Sequence, residues 1–282
     1  MESILLIGSR GLLGKHLYPI LNKKFVVKKF IRSKKKNFLD KKFCKIFFSE
    51  NHFDIIIFLN AITNIDYCEN NKKEALNINY KIVKNVENES RIFNLKTFFL
   101  FISTDQFYNN YKKNNEVNNT IFNFYAKTKL LTEIYLQNKN SCILRTNFFG
   151  KSLDKSRFSL SDFIVNNLKK KKKIFLADDI LFSPVSIKYL CKIIYLLSLR
   201  KITGKYNLGS KNGFSKYKFG LILAKQLKLN TRYIEKVSLK KLNFKARRPK
   251  DMRMKLGLLN KKLKIKSVTL VGEIKKVINE YK

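Results

Sequence analysis

Residues 4–17 read ILLIGSRGLLGKHL, and this stretch decides the fold. Ile4–Ile7 is a short apolar run that stops at Gly8, and beyond Gly14 the apolar residues Leu17, Ile20 and Leu21 recur at helical spacing. The reading is strand, glycine turn, helix. Gly8, Gly11 and Gly14 form a G-x-x-G-x-x-G loop between the two elements. Glycines there let the backbone approach a ligand closely, and the open N–H groups at the start of the helix favour an anion. Gly8, Arg10, Gly11, Leu12 and Gly14 are therefore the residues expected around a pyrophosphate.

Working outward, Phe25–Ile31 and Asp54–Leu59 are continuous apolar stretches suited to a sheet covered on both faces. Further strands are expected at Thr97–Ile102 and Cys142–Leu144, with helices near 72–92 and 124–138. Strands alternating with helices predict an α/β, Rossmann-type, doubly wound parallel sheet with a smaller C-terminal substrate-binding lobe. Past Gly150 the alternation loosens. Helices are expected near 158–173, 186–199, 215–227 and 268–281, and a strand at Ile174–Leu176. We assign 1–150 to the dinucleotide-binding domain, with 174–200 returning to it, and 151–173 and 201–282 to the smaller lobe.

Composition narrows the function classes. The 282 residues are 45% hydrophobic and carry a formal net charge of +40. No apolar run approaches the roughly 20 residues of a membrane span, and no leader pattern precedes the first strand, so a cytoplasmic protein is expected. Lysine is spread along the chain and accompanies abundant Asn, Ile and Phe, the pattern of an A/T-rich coding bias rather than of a nucleic-acid-binding arm. The charge would still draw in a polyanionic substrate. Cys44, Cys68, Cys142 and Cys191 lie far apart and the only histidines are His16 and His52, so neither a zinc site nor a disulfide framework is indicated.

Two further groups carry chemistry. At the end of the second strand an acidic residue would bind a ribose 2′-hydroxyl and a basic one a 2′-phosphate. The strand ends Ile31-Arg32-Ser33, and Arg10 stands in the glycine loop. Both arginines favour NADPH over NADH because a guanidinium forks onto phosphate; NADH stays open, and Asp40 is an alternative adenine or ribose neighbour. Ser103-Thr104-Asp105 ends the fourth strand, and Tyr125 and Lys129 are four residues apart on the next helix, hence on one face. An ammonium one turn away favours the phenolate and brings a tyrosine into acid–base range. The Thr104 hydroxyl would hydrogen-bond and polarise a substrate carbonyl.

The ordered segments LLIGSRGLLGKHL (5–17), AITNIDYCE (61–69), ALNIN (75–79), FISTDQFY (101–108), Glu116 and Asn123 ahead of FYAKTKLLTE (124–133), ILRTNFFG (143–150), SPVS (183–186), GKYNLGS (204–210) and ARRPKDMRM (246–254) together resemble the extended short-chain dehydrogenase/reductase superfamily. Within it they are most similar to the dTDP-4-dehydrorhamnose reductase, or sugar-nucleotide-binding, group. That resemblance implies a catalytic triad of Thr104, Tyr125 and Lys129. It also implies Ala61 and Thr63 along the cofactor channel, and Asp105, Asn147, Arg247 and Arg248 toward a nucleotide sugar. The implied reaction is reduction of a 4-keto-deoxysugar nucleotide by NAD(P)H, with Tyr125 as proton donor and no metal. Its expected setting is dTDP-rhamnose and polysaccharide biosynthesis; a homodimer is allowed, and neither nucleic acid nor a membrane is a partner.

An epimerase would use the same Tyr/Lys pair, and a non-catalytic NADP-binding regulatory subunit would keep the fold. A dehydratase is disfavoured because Gln106 stands where such enzymes carry an acid, and an amide cannot transfer protons. The chain departs from the resemblance in having no tryptophan, with Asn147-Phe148-Phe149 where related reductases often place one.

Overall fold

A computed structural model describes residues 1–33, 35–111, 114–154 and 158–282. In chain order the elements are β1 (Ser3–Ile7), α1 (Leu12–Leu21), β2 (Val26–Phe30), α2 (Lys41–Glu50), β3 (Ile55–Phe58), α3 (Ile65–Asn70) and α4 (Lys72–Leu76). A π-helical segment, Asn77–Lys81, leads into α5 (Ile82–Phe93), β4 (Phe98–Thr104), α6 (Phe124–Leu136), β5 (Ser141–Thr146) and β6 (Phe148–Phe149). Then come α7 (Leu160–Lys169), β7 (Ile174–Ala177), β8 (Leu181–Phe182), β9 (Val185–Ser186), α8 (Ile187–Arg200), β10 (Gly204–Leu208) and β11 (Phe214–Ser215). The chain closes with α9 (Lys216–Gln226), β12 (Ile234–Val237), α10 (Leu258–Leu263) and α11 (Leu270–Val277).

The central sheet has six strands in the order β10-β5-β4-β3-β1-β2. Pairing is parallel from β4 through β3 and β1 to β2, with Ile7 opposite both Phe30 and Phe58. The order reverses between β1 and β3, which is the topological switch point where open α/β sheets bind ligands. The expected α/β class is what the chain adopts. β3 and β4 are buried throughout and β1 from Ile4 to Ile7, as their apolar runs predict. β2 departs from that reading: as the edge strand it leaves Val26, Lys28 and Lys29 exposed, and charged residues on an edge discourage pairing with another chain.

The chain divides into two compact units of three segments each. The first comprises Met1–Thr104, Ile121–Leu144 and Cys191–Tyr206, and the second Asp105–Thr120, Arg145–Leu190 and Asn207–Lys282. The expected division set 1–150 with 174–200 against 151–173 and 201–282, whereas these units draw their bounds at other residues. Two assignments shift for a physical reason. β7 was expected back with the dinucleotide-binding domain, but it pairs with β12 inside the second unit, whereas β10, placed by sequence in the smaller lobe, forms an edge of the central sheet. The core of the first unit gathers Leu5, Ile7, Ile56 and Phe58 with the α2 and α5 residues Cys44, Phe48, Ile82 and Val86. A separate core in the second unit is built around Phe149, Phe182, Phe219 and Ile274.

Candidate active site

The glycine loop leaves β1 at Ile7 and enters α1 at Leu12, whose N-cap, Gly11, supplies no side-chain cap. The first N–H groups of α1 are thus left for a ligand. Gly8 has φ +94°, and a Cβ there would stand 2.7 Å from the Asn60 nitrogen at the end of the neighbouring strand. A Cβ on Gly14 would stand 2.6 Å from Ser9 Cα, so the helix packs directly on the loop backbone. The Ser9 hydroxyl is buried within this loop and has no hydrogen-bond partner among the described residues. A cradle without side chains, open helical N–H groups and an unpartnered hydroxyl fit a dinucleotide pyrophosphate.

Arg10 and Arg32 are both exposed and emerge beyond the C-terminal ends of the paired strands β1 and β2. Asp40 is committed elsewhere: its carboxylate accepts from the N–H groups of Lys42 (2.9 Å) and Phe43 (3.3 Å) and caps α2. Beyond β3, Ala61 is half-buried and Thr63 exposed. The Ile62 between them is held at both backbone groups by Asn79, whose Oδ1 accepts from Ile62 N (2.8 Å) while Nδ2 donates to Ile62 O (3.1 Å).

Asn123 starts α6 by accepting from Ala126 N (2.9 Å), and Glu69 accepts from Phe124 N (2.9 Å). These caps set the helix on which Tyr125 and Lys129 lie, both buried. The Lys129 ammonium donates to the carbonyl of Ile102 (2.6 Å) and sits 3.9 Å from the centre of the Phe101 ring. It thereby ties α6 to β4 two residues before Thr104, itself buried at the strand's end. Burial pulls the Lys129 ammonium down to about 7, opposed by the negative charge of Glu133. Ser103 donates to Glu133, which is also buried.

In the second unit the structure brings Asp105 and Asn147 together: Asn147 Nδ2 donates to Asp105 Oδ2 (2.8 Å). Gln106 donates to the other oxygen (3.3 Å) and to the sulfur of Met252. Burial raises the Asp105 carboxyl to about 6, countered by the donors on Asn147 and Gln106 and by the charge of Lys216. Arg248 is half-buried, donates to Ala246 O (2.9 Å) and stacks over Phe244; Arg247 is exposed. The basic run from Arg247 to Arg253 is not uniformly solvated, because Arg253 is paired with the fully buried Asp251.

The model of the RmlD substrate binding domain family matches residues 1–282. The chain belongs to that family. Comparison with curated proteins by sequence gives no match. Among solved structures, the chain is similar to the dTDP-4-dehydrorhamnose reductase of Bacillus anthracis str. Ames in complex with NADP, at 21% identity over 99% of each chain with a TM-score of 0.89. A hypothetical dTDP-4-dehydrorhamnose reductase of Sulfolobus tokodaii is 25% identical over 96% of this chain and 99% of its own, with a TM-score of 0.83. The UDP-glucose 4-epimerase of Thermotoga maritima with UDP-glucose shares 16% identity over 99% and 98% of the two chains, with a TM-score of 0.81.

Two residues of this RmlD-family chain were not singled out by the sequence reading. Asn79, in the π-helical segment, joins the Ala61–Thr63 loop to α6, since its amide also donates to the Thr128 hydroxyl (3.0 Å). Only its place within ALNIN marked it. Arg145 is fully buried in the second unit, donates to Tyr108 Oη (2.9 Å), Asn118 O (3.0 Å) and Asn119 Oδ1, and stacks on Phe107. An arginine inside a strand of otherwise apolar character was its sole signal.

Proposed function

We propose that this chain is an NADPH-dependent reductase of a nucleotide-activated 4-keto-deoxysugar, with Thr104, Tyr125 and Lys129 as its catalytic residues. The observation that carries the reading is the tie of Lys129 to the β4 carbonyl of Ile102, on the helix face shared with Tyr125 and next to a strand end bearing Thr104. The glycine cradle, with Arg10 and Arg32 at its rim, supports NADPH, and the similar reductase of Bacillus anthracis holds NADP. When bound, the cofactor supplies the hydride. The protein orients the reactants and manages the proton. Thr104 donates to the substrate carbonyl oxygen, Tyr125 protonates that oxygen as charge develops on it, and Lys129 stabilises the phenolate left behind. Asp105 and Asn147, already hydrogen-bonded to one another, offer a carboxylate and an amide to sugar hydroxyls, and Arg247 and Arg248 offer charge to a diphosphate.

The test is NADPH oxidation, followed by absorbance, with a panel of 4-keto sugar nucleotides. Stoichiometric consumption is expected, and Tyr125→Phe should lower kcat by about 10²–10⁴-fold with NADPH affinity nearly unchanged. Interconversion of sugars without net NADPH consumption would replace reduction by epimerisation, and an unchanged Tyr125→Phe would remove the catalytic assignment.

A further inference from the structure

The second unit contains an open cleft of about 570 Å³, none of whose residues has a role in the proposed reaction. It is lined by Ser210–Gly213, in the loop between β10 and β11, and by Arg253, Met254 and Leu256. The loop reads GSKNG over 209–213. Its glycines let it lie directly on neighbouring backbone: a Cβ on Gly209 would stand 2.8 Å from Ser183 O, and one on Gly213 2.4 Å from Phe182 O. Between them Asn212 has φ +56°, the left-handed conformation through which successive N–H groups form an anion-binding concavity.

The donors along this cleft lack acceptors. Ser210 is 2% exposed, and its buried hydroxyl has no hydrogen-bond partner among the described residues. Buried hydroxyls in native folds are normally satisfied, so a partner from outside the chain is indicated. The N–H groups of Asn212 and Gly213 likewise meet no acceptor among the described residues. Arg253 commits Nε and Nη2 to the Asp251 carboxylate (2.9 and 2.6 Å), which leaves Nη1 without an acceptor among those residues. Asp251 and Arg253 cancel each other's charge. The exposed Lys211 ammonium has no ion pair among the described residues, so the lining carries a net positive charge.

We propose that this cleft binds a phosphate monoester of sugar-phosphate size, with the phosphate held by the GSKNG loop. A hydroxyl, adjacent amides, a guanidinium edge and an ammonium suit the three terminal oxygens and nearly double charge of such a phosphate better than they suit a carboxylate. The volume falls in the roughly 300–1,000 Å³ range of small-molecule sites, so space remains beyond a bare phosphate ion. Met254 and Leu256 supply apolar surface for the organic part of the ester. The site uses neither Tyr125 nor Lys129, and it stands whether or not the chain is a reductase.

Calorimetric titration of the NADPH-saturated protein tests this, because the filled glycine cradle at α1 no longer competes for phosphate. Glucose 1-phosphate should bind at least about ten-fold more tightly than inorganic phosphate. Ser210→Ala and Lys211→Gln should each weaken its binding by about ten-fold, while Arg247→Ala, at a residue offered to the substrate diphosphate, should change it by less than about two-fold. Lys211 is exposed, so its variant keeps the test open should Ser210→Ala fail to fold. No binding of glucose 1-phosphate at about 10 mM would overturn the proposal. So would binding that the Ser210 and Lys211 variants leave intact, whether or not Arg247→Ala abolishes it. Equal affinity for the two probes would remove the ester and leave a site for an adventitious ion only. A protein that takes up no NADPH would sink the cofactor reading alone, since the Ser210 and Lys211 variants still decide this one.

Discussion

Asp105 is buried with a carboxyl raised to about 6 from an ordinary 3.8, so the folded state binds its proton more tightly than the unfolded chain does. Between those two values stability falls as pH rises, and above about 6 the full cost of a buried charge is present. Asp105→Asn should therefore stabilise the protein by on the order of 2 kcal/mol at pH 7.5 and by almost nothing at pH 4, as read from urea melts at the two pH values. Lys129 has the opposite sign. Its proton is held less tightly when folded, so its burden is complete below about 7 and eases as pH rises toward 10.5; Lys129→Met should stabilise more at pH 6 than at pH 9. Arg32 is exposed and makes its case through selectivity: Arg32→Ala should weaken NADPH binding by about ten-fold and leave NADH nearly unaffected, measured by fluorescence titration.

Among the elements, the β1 turn and α1 were the most legible in sequence because every local signal agrees there: a continuous apolar strand, glycines at each close approach and a helical repeat. Gly14→Ala would force its new methyl against the Ser9 backbone, with no side chain able to move aside. A loss of about 2 kcal/mol or more is expected, together with loss of NADPH binding, and a variant that melts and binds like wild type would contradict the packing described. The π-helical segment was read as one continuous helix with its neighbours, since periodicity cannot report a single wider turn. Yet that turn carries Asn79, whose side-chain amide makes three hydrogen bonds, all to groups of the protein. Asn79→Leu, which removes them while keeping the volume, should cost about 2–4 kcal/mol and weaken NADPH binding by freeing the Ala61–Thr63 loop, both measurable by thermal shift with and without cofactor. β10 escaped because GKYNL is short and half polar, and a strand at the edge of a sheet needs no more apolar surface than that. The partnership of Asp105 with Asn147 joins residues 42 apart in the chain, and no spacing rule reports such a contact.

For the molecule as a whole, the charge of +40 acts through its sum rather than through any one pair. Like charges repel one another in the compact state and attract a dianionic substrate, and salt screens both effects over about 10 Å at 0.1 M. Raising NaCl should therefore increase the melting temperature while raising KM for a nucleotide sugar, with kcat little changed. A KM indifferent to ionic strength would show that the surface field has no part in capture.

The six-stranded sheet has a consequence for how the protein is made. β5 is complete once residue 146 has been synthesised, whereas its outer neighbour β10 begins only at Gly204. On the ribosome, at about 5–20 residues per second, the β5 edge therefore waits several seconds for its partner. Through that interval a strand that is buried in the finished fold shows unpaired amides to solvent, which is the condition under which a nascent chain recruits chaperones or aggregates. Slowing translation between codons 146 and 204 should lower the soluble yield, and hastening it should raise it.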